Sequence, residues 1–521
     1  MRRGLAVLLV VALSAIGAAC AGTGKNNSSK TKNKAVAGAP LAASAEHNAK
    51  RTQSGEREVP SASATVPPTS AAKFPALTRA AGTPERSPQI NRPVLSLKLG
   101  GATFTPLGFL DFTSVYRSTN VGSGVGTSFG SIPFNGASPA GRLSELRFSA
   151  QNSRIGLKID ADPAANLKVR GYIEADFLGN VPKNLEVASH SNTMRMRLYW
   201  VDLRRSRWEF LAGQSWSLMT PNRKGISPMP GDIFYTQNMD TNYQVGLVWL
   251  RTPGFRVTFH PNDPWTFALA LEDPEQYTGG LVKFPPGFDS SQVDDVGGNA
   301  KTPNVAPDIV AKIAYDTSLA GHGLHLEAAG LYRRFRLNTA ATNVNISRSG
   351  VGGALNLNLD IAKGFHLIGT SFWSDGGGRY IFGLGPDFVV KTDSAGNFIP
   401  SPVHAGAGVG GFEYQAIPKT MLYGYYGAAY FGRNFQATSG PLPTFTGFGF
   451  PGSSSAQNRA IQEATFGVIE TLWKHTGYGD LKIITQAAYL ARNPWSNSTT
   501  PDGARSAHLG MGYVDLRYDL P

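Results

Sequence analysis

"KVRGYIEADF", residues 168–177, alternates with a period of two. Lys168, Arg170, Tyr172, Glu174 and Asp176 take the even positions, and Val169, Gly171, Ile173, Ala175 and Phe177 take the odd ones. That is the period of a β-strand, whose side chains point alternately to two faces. One face is apolar and the other carries a row of charges. A strand of this kind suits the wall of a membrane barrel, where the outer face meets lipid and the inner face meets water.

The same texture recurs along the chain. In 307–316, Ile309, Ala311, Ile313 and Tyr315 alternate with Asp308, Lys312 and Asp316. In 323–333, Leu324, Leu326, Ala328 and Tyr332 alternate with His325, Glu327 and Arg333. In 351–360, Val351, Leu355, Leu357 and Leu359 oppose Asn356, Asn358 and Asp360. No stretch beyond the N-terminus is apolar for the ~18 residues that a membrane helix needs, so any crossing must be made by strands.

Connections between these segments alternate in length. Gly/Pro/Asn/Ser-rich stretches lie near 117–143, 179–193, 217–241, 273–306, 337–349, 374–404, 431–459 and 492–504. The others are short, such as "DPAAN" at 162–166, "RRS" at 204–206, "AKG" at 362–364 and "HTGYG" at 475–479. Alternation of this kind puts long loops at one rim of an up-and-down barrel and short turns at the other. The reading is therefore an all-β, transmembrane, antiparallel up-and-down β-barrel of about 16 strands over residues 96–521. One place bears on the count. Tyr243, Val245, Leu247, Trp249, Phe255, Val257 and Phe259 are all odd-numbered, which makes 242–260 one long strand with an irregularity at Pro253. If "RTPG" at 251–254 is a hairpin instead, eighteen strands follow.

The chain of 521 residues begins "MRRGLAVLLVVALSAIGAACA", with Arg2 and Arg3 ahead of an apolar run. Residues 1–21 read as a secretory signal peptide. Cys20 is the sole cysteine, which rules out an internal disulfide. It stands where a lipidated cysteine would stand; the alternative is cleavage after Ala21. Residues 22–95 are Ala, Ser, Thr, Pro, Lys and Asn with few aromatics, and read as a disordered basic linker. They hold eleven Lys/Arg against four Glu, a net +7. With Arg2 and Arg3 removed as well, the formal +13 leaves 13 − 2 − 7 = +4 for the barrel. The basic surplus thus belongs mostly to the tail. It is either a solvated spacer or a contact to an anionic cell-wall polymer, and an exported chain gives no reason to expect nucleic acid.

The predicted lumen-facing charges are Arg147, Arg154, Lys158, Lys168, Arg170, Glu174, Asp176, Arg195, Arg197, Arg256, Lys312 and Arg333. Arginine is permanently charged and forks onto carboxylates and phosphates, so such residues favour anions in a pore. The alternative is that they pair with lumen acids and brace the wall. The third long loop, with Arg223, Lys224 and Asp232, is the candidate constriction, by analogy with the inward third loop of sixteen-stranded porins. The nine histidines form no His-x-x-x-His pair, and "GSGVG" at 122–126 and "GAGVGG" at 406–411 lack the Lys-Ser/Thr of a phosphate loop. No catalytic constellation, metal site or cofactor motif stands out.

"LSELRFSAQNSRIGLKID", "GYIEADFLGN", "MRLYWVDL", "WEFLAGQSWSLMTPN" and "ALALEDPEQY" resemble the DcaP-like porins of bacterial outer membranes, in their acidobacterial-type variants. The similarity covers roughly residues 100–280 by motif and 300–521 by pattern, with "GQSWSL" its most specific string. The resemblance implies an outer-membrane homotrimer of sixteen-stranded barrels in a Gram-negative-type bacterium, embedded in outer-membrane lipid and passing small anionic, carboxylate-type solutes. Two features depart from it. The linker does not look like the helical N-terminal segment of some members, and the chain ends "YVDLRYDLP" where many such barrels end in an aromatic residue. A non-transporting barrel, an envelope anchor or adhesin, is the competing expectation.

Overall fold

The computed structural model describes residues 95–136, 138–180, 190–233, 237–294, 304, 306–438, 441–496 and 504–521. The expectations for the signal peptide, Cys20 and nearly all of the linker lie outside the described residues.

Sixteen antiparallel strands close into one barrel. β1 is Ala102–Arg117, and β2 comes in two pieces, Glu145–Ser149 and Arg154–Ala164. Then follow β3 (Leu167–Asp176), β4 (Arg195–Arg205), β5 (Trp208–Trp216), β6 (Arg251–Asn262) and β7 (Trp265–Glu272). β8 (Asp308–Leu319), β9 (His322–Thr339), β10 (Val344–Ala362) and β11 (Phe365–Asp375) continue the wall. β12 (His404–Ile417), β13 (Thr420–Phe431), β14 (Asn458–His475), β15 (Gly479–Pro494) and β16 (Ala507–Asp519) complete it. The barrel shuts where β16 pairs with β1, from Phe109↔Asp519 to Arg117↔Met511. A short extra strand, Leu97–Leu99, folds back on the start of β1. The pieces of β2 pair with the two halves of β1, and the extra residue between them is a bulge whose Ser153 hydroxyl accepts the Asp111 N–H.

The period-two reading holds on the wall. Ile173 is 44% exposed on the outer face, while Tyr172, Glu174 and Asp176 are buried within. Outward aromatics gather where lipid gives way to water. At the short-turn rim Trp208 stacks on Phe259 at 4.4 Å, Trp265 meets Tyr315 at 4.5 Å and Phe365 stacks on Phe412 at 5.8 Å. Short turns bound this rim as expected; in the β8–β9 turn Ala320 and Gly321 both take positive φ, the geometry that lets a two-residue turn follow the strand twist.

Two expectations are corrected. Residues 337–349 are no long loop: β9 runs to Thr339 and β10 starts at Val344, so the polar sequence belongs to strand tips that stand above the rim. Residues 242–250 are not part of a long strand either, since β6 begins at Arg251 and the third loop runs on to Leu250. Val245 and Leu247 alternate because they are packed inside the barrel, with essentially no exposure, and not because they face lipid. The strand count survives because 242–260 supplies one barrel strand in either case.

Candidate functional site

The third loop crosses the interior. Its backbone N–H groups are received by side chains of the wall, one strand after another. Leu218 donates to Glu272 of β7, Asn222 to Glu327 of β9, and Gly225 to Asp316 of β8. Gln237 donates to the Tyr425 hydroxyl of β13, Val245 to Glu463 of β14, and Met239 to Gln486 of β15. β7, β8 and β9 follow on from β6, where the loop ends, while β13, β14 and β15 lie across the barrel from β5 and β6, so the loop spans the lumen. Gly246, at φ +91°, and Gly427 let its backbone rest on the wall; a Cβ on either would strike main-chain oxygens. Buried acceptors facing loop N–H groups satisfy donors that water no longer reaches.

Most predicted lumen charges are paired in clusters. Arg197 donates to Glu174 at 2.6 Å and to Asp176 at 2.9 Å, and Arg195 also holds Asp176 at 2.8 Å. Arg154 approaches the same Glu174 at 3.7 Å. Lys312 binds Glu327 at 3.1 Å with both side chains sealed from water. Arg333 joins Asp308 at 2.8 Å and Asp387 at 2.6 Å. Burial pushes the carboxyl of Asp387, in the loop after β11, above the usual carboxylate range, and the Arg333 guanidinium pulls it back. Arg256 forms no ion pair within 4 Å among the described residues and donates to the Trp216 carbonyl at 2.7 Å. Arg147 holds Glu145 at 2.9 Å, Lys158 and Arg170 share Asp160, and Lys168 lies exposed near the short-turn rim. In the third loop Arg223 clamps Glu413 of β12, Asp232 accepts the Ser227 hydroxyl, and Lys224 is exposed.

The pairs are lopsided. Asp176 is fully buried while its partner Arg195 keeps 37% exposure. The same imbalance marks Arg154–Glu174, Arg223–Glu413, Arg517–Asp111 and Arg147–Glu145: the carboxylate is withdrawn and the guanidinium reaches water. Pairs around Asp160 and Asp519 are more even, and His325–Asp316 runs the other way. Around these five lopsided pairs the surface that reaches water is basic, while Arg379–Glu275 exposes its acid.

Apolar side chains of the loops fill much of the long-loop half. Phe129, Ile132 and Phe134 of the first loop meet Met239 and Val248 of the third and Tyr380 and Ile381 of the sixth. Beside them Trp216, Tyr243 and Trp249 form an edge-to-face trio, with Arg197 and Arg251 each 5.7 Å from the Trp216 ring. Sequence reasoning missed Glu272, Glu413 and Glu463, the acceptors that seat the loop. For two of them the signal was present: Glu272 ends the alternating "WTFALALE", and Glu413 stands between Phe412 and Tyr414, whereas Glu463 lies between Gln462 and Ala464. No group of three or more metal-ligating side chains occurs among the described residues.

No family model matches the chain. No curated protein matches it either. Solved structures do. The outer membrane channel DcaP of Acinetobacter baumannii aligns over 81% of this chain and 99% of its own, with a TM-score of 0.57 at 16% identity. The chain has the fold of a porin-type β-barrel. Salmonella typhi OmpF in complex with daunomycin aligns over 82% of this chain and 100% of its own, with a TM-score of 0.44 and 11% identity. Pseudomonas putida OprB covers 80% and 94%, with a TM-score of 0.41 and 9% identity. At such identities the DcaP likeness speaks to the fold. The porin-type barrel places a polar interior, a lumen-crossing third loop and an apolar outer face in one molecule.

Proposed function

We propose that this barrel passes small, hydrophilic, anionic solutes of the carboxylate type by passive diffusion, without catalysis, and works as a homotrimer. The lopsided ion pairs carry the reading. A carboxylate solute moving along the interior meets the guanidinium edges of Arg154, Arg195, Arg223 and Arg517, whose own counter-ions are buried behind them. The acids that a cation can reach, Asp160, Asp360, Asp519 and Glu275 among them, are each already beside a basic side chain. Guanidinium groups suit carboxylates because two parallel N–H donors match two oxygens. Rings of such residues select anions. The fully sealed Lys312, Arg333, Arg117 and Arg197 take no part in this surface and brace the wall instead. The third loop sets the narrow zone. The trimer and the solute class rest on the resemblance to the DcaP-like porins.

A second reading has its own observation. The apolar loop core around Phe129, Met239 and Tyr380 occupies the long-loop half of the barrel. That suits a closed barrel serving as an envelope anchor, with the basic N-terminal segment on the cell wall. Single-channel recording of the purified chain in planar bilayers separates the two. The porin reading requires discrete conductance steps, and their absence across preparations selects the anchor.

A further inference from the structure

The outer wall is not evenly filled. Across β8, β9 and β10 one outward row reads Ala311, Gly330 and Gly353, paired in register, between Leu269 of β7 and Trp373 of β11. These small side chains leave an apolar groove of about 1000 Å³ among bulky neighbours. A second hollow of about 730 Å³ adjoins it, sharing Ile313, Ala328, Leu355 and Ser371. Trp373, 70% exposed, stands at the edge of the larger groove. In this wall the surrounding medium is lipid hydrocarbon.

A different feature lies directly above. Outward positions of β9 run Ala328, Gly330, Tyr332, Arg334, Arg336. Past Tyr332 the β9–β10 hairpin has lost its barrel neighbours, because β8 pairing ends at Ile309↔Tyr332 and β11 pairing ends at Val351↔Asp375. On its inner side Phe335 and Leu337 pack on Phe388 and Phe398 of the sixth loop. Its outer side offers Arg334 and Arg336, opposite Ser349 and Ser347. Neither arginine has an acidic partner among the described residues; Asp375, the outward acid nearest in register, is paired with His404. From Gly330 to Arg334 the strand climbs about 13 Å, at about 3.3 Å per residue.

We propose that this groove and these two arginines together bind one phosphorylated, multiply acylated lipid of the outer leaflet. Acyl chains fill the hollow left by Ala311, Gly330 and Gly353. The phosphate sits at Arg334 and Arg336, with Tyr332 at the boundary between the two. A planar guanidinium fork above an apolar slot matches a phosphate above a chain, whereas a second copy of the barrel would have to bring acids to meet the arginines.

The test is native mass spectrometry of the full chain in detergent, with diphosphoryl lipid A and its dephosphorylated form as probes. The expected result is one retained lipid A and a clear preference over the dephosphorylated form. Arg334→Ala with Arg336→Ala is expected to weaken lipid A binding about tenfold and abolish the preference. Gly330→Leu is expected to weaken both probes; a Cβ there meets no atom within 4 Å, so the change fills the groove without straining the strand. Heat-modifiable gel mobility verifies folding of each variant. A preference unchanged by the double substitution overturns the proposal. So does efficient disulfide cross-linking of two copies through Ser371→Cys, which would make the groove a protein interface.

Discussion

Lys312 has no route to water. Its ammonium is held by Glu327, the Thr220 carbonyl and Asn222. Glu327 in turn accepts from the Asn222 N–H and from Asn356. Breaking one partner of a sealed pair leaves a bare buried charge, at a cost of about 3–5 kcal/mol. Glu327→Gln is therefore expected to lower resistance to urea in detergent micelles by that order; an unchanged midpoint would show that the pair is not sealed. On the opening strand the two faces make opposite predictions. Ile173→Arg puts a charge on the lipid side, costing about 2–4 kcal/mol near the midplane, and should reduce the folded, heat-modifiable species. Arg170→Ala removes a half-exposed interior charge and should assemble normally. Equal assembly of the two variants would contradict the facing.

The strands were legible because each must keep one wet and one apolar face, and charges such as Glu174 and Asp176 mark the wet one. The loops were legible in their lengths but less so in their course. Tyr243, Val245, Leu247 and Trp249 carry the pattern of a strand, and only the interior they pack into reveals them as loop. Pattern reports burial, not what does the burying. Similarly, "NTAATNVNIS" reads as loop because the strand tips above the rim have water on one side and need no lipid face. Arginines on the polar face of a strand stand out in the sequence, but sealed braces such as Arg333 cannot be told there from water-facing ones such as Arg195, because that depends on partners distant in sequence. Arg223, joined to Glu413 from 190 residues away, gives the element its own prediction. Arg223→Ala should leave the loop anchored through Leu218 and Asn222 and raise single-channel conductance. Unchanged conductance would show that this part of the loop does not set the constriction.

At the scale of the molecule, a set of ion pairs buries the acid and leaves the arginine edge wet, at Asp176, Glu174, Glu413 and Asp111. That distribution, more than the barrel's modest net charge, is what a passing solute would meet. It depends on the third loop, whose N–H groups occupy Glu272, Glu327 and Glu463 and so withdraw those carboxylates from the water path. Salt should weaken the preference, because exposed guanidinium groups are screened over about 8–10 Å at ordinary ionic strength. The most direct measurement is the zero-current potential of the purified chain in a planar bilayer under a potassium chloride gradient. The account predicts discrete channels with a reversal potential on the anion-selective side, moved toward neutrality by Arg195→Ala with Arg517→Ala. A reversal potential on the cation-selective side, or no channels at all, would contradict it.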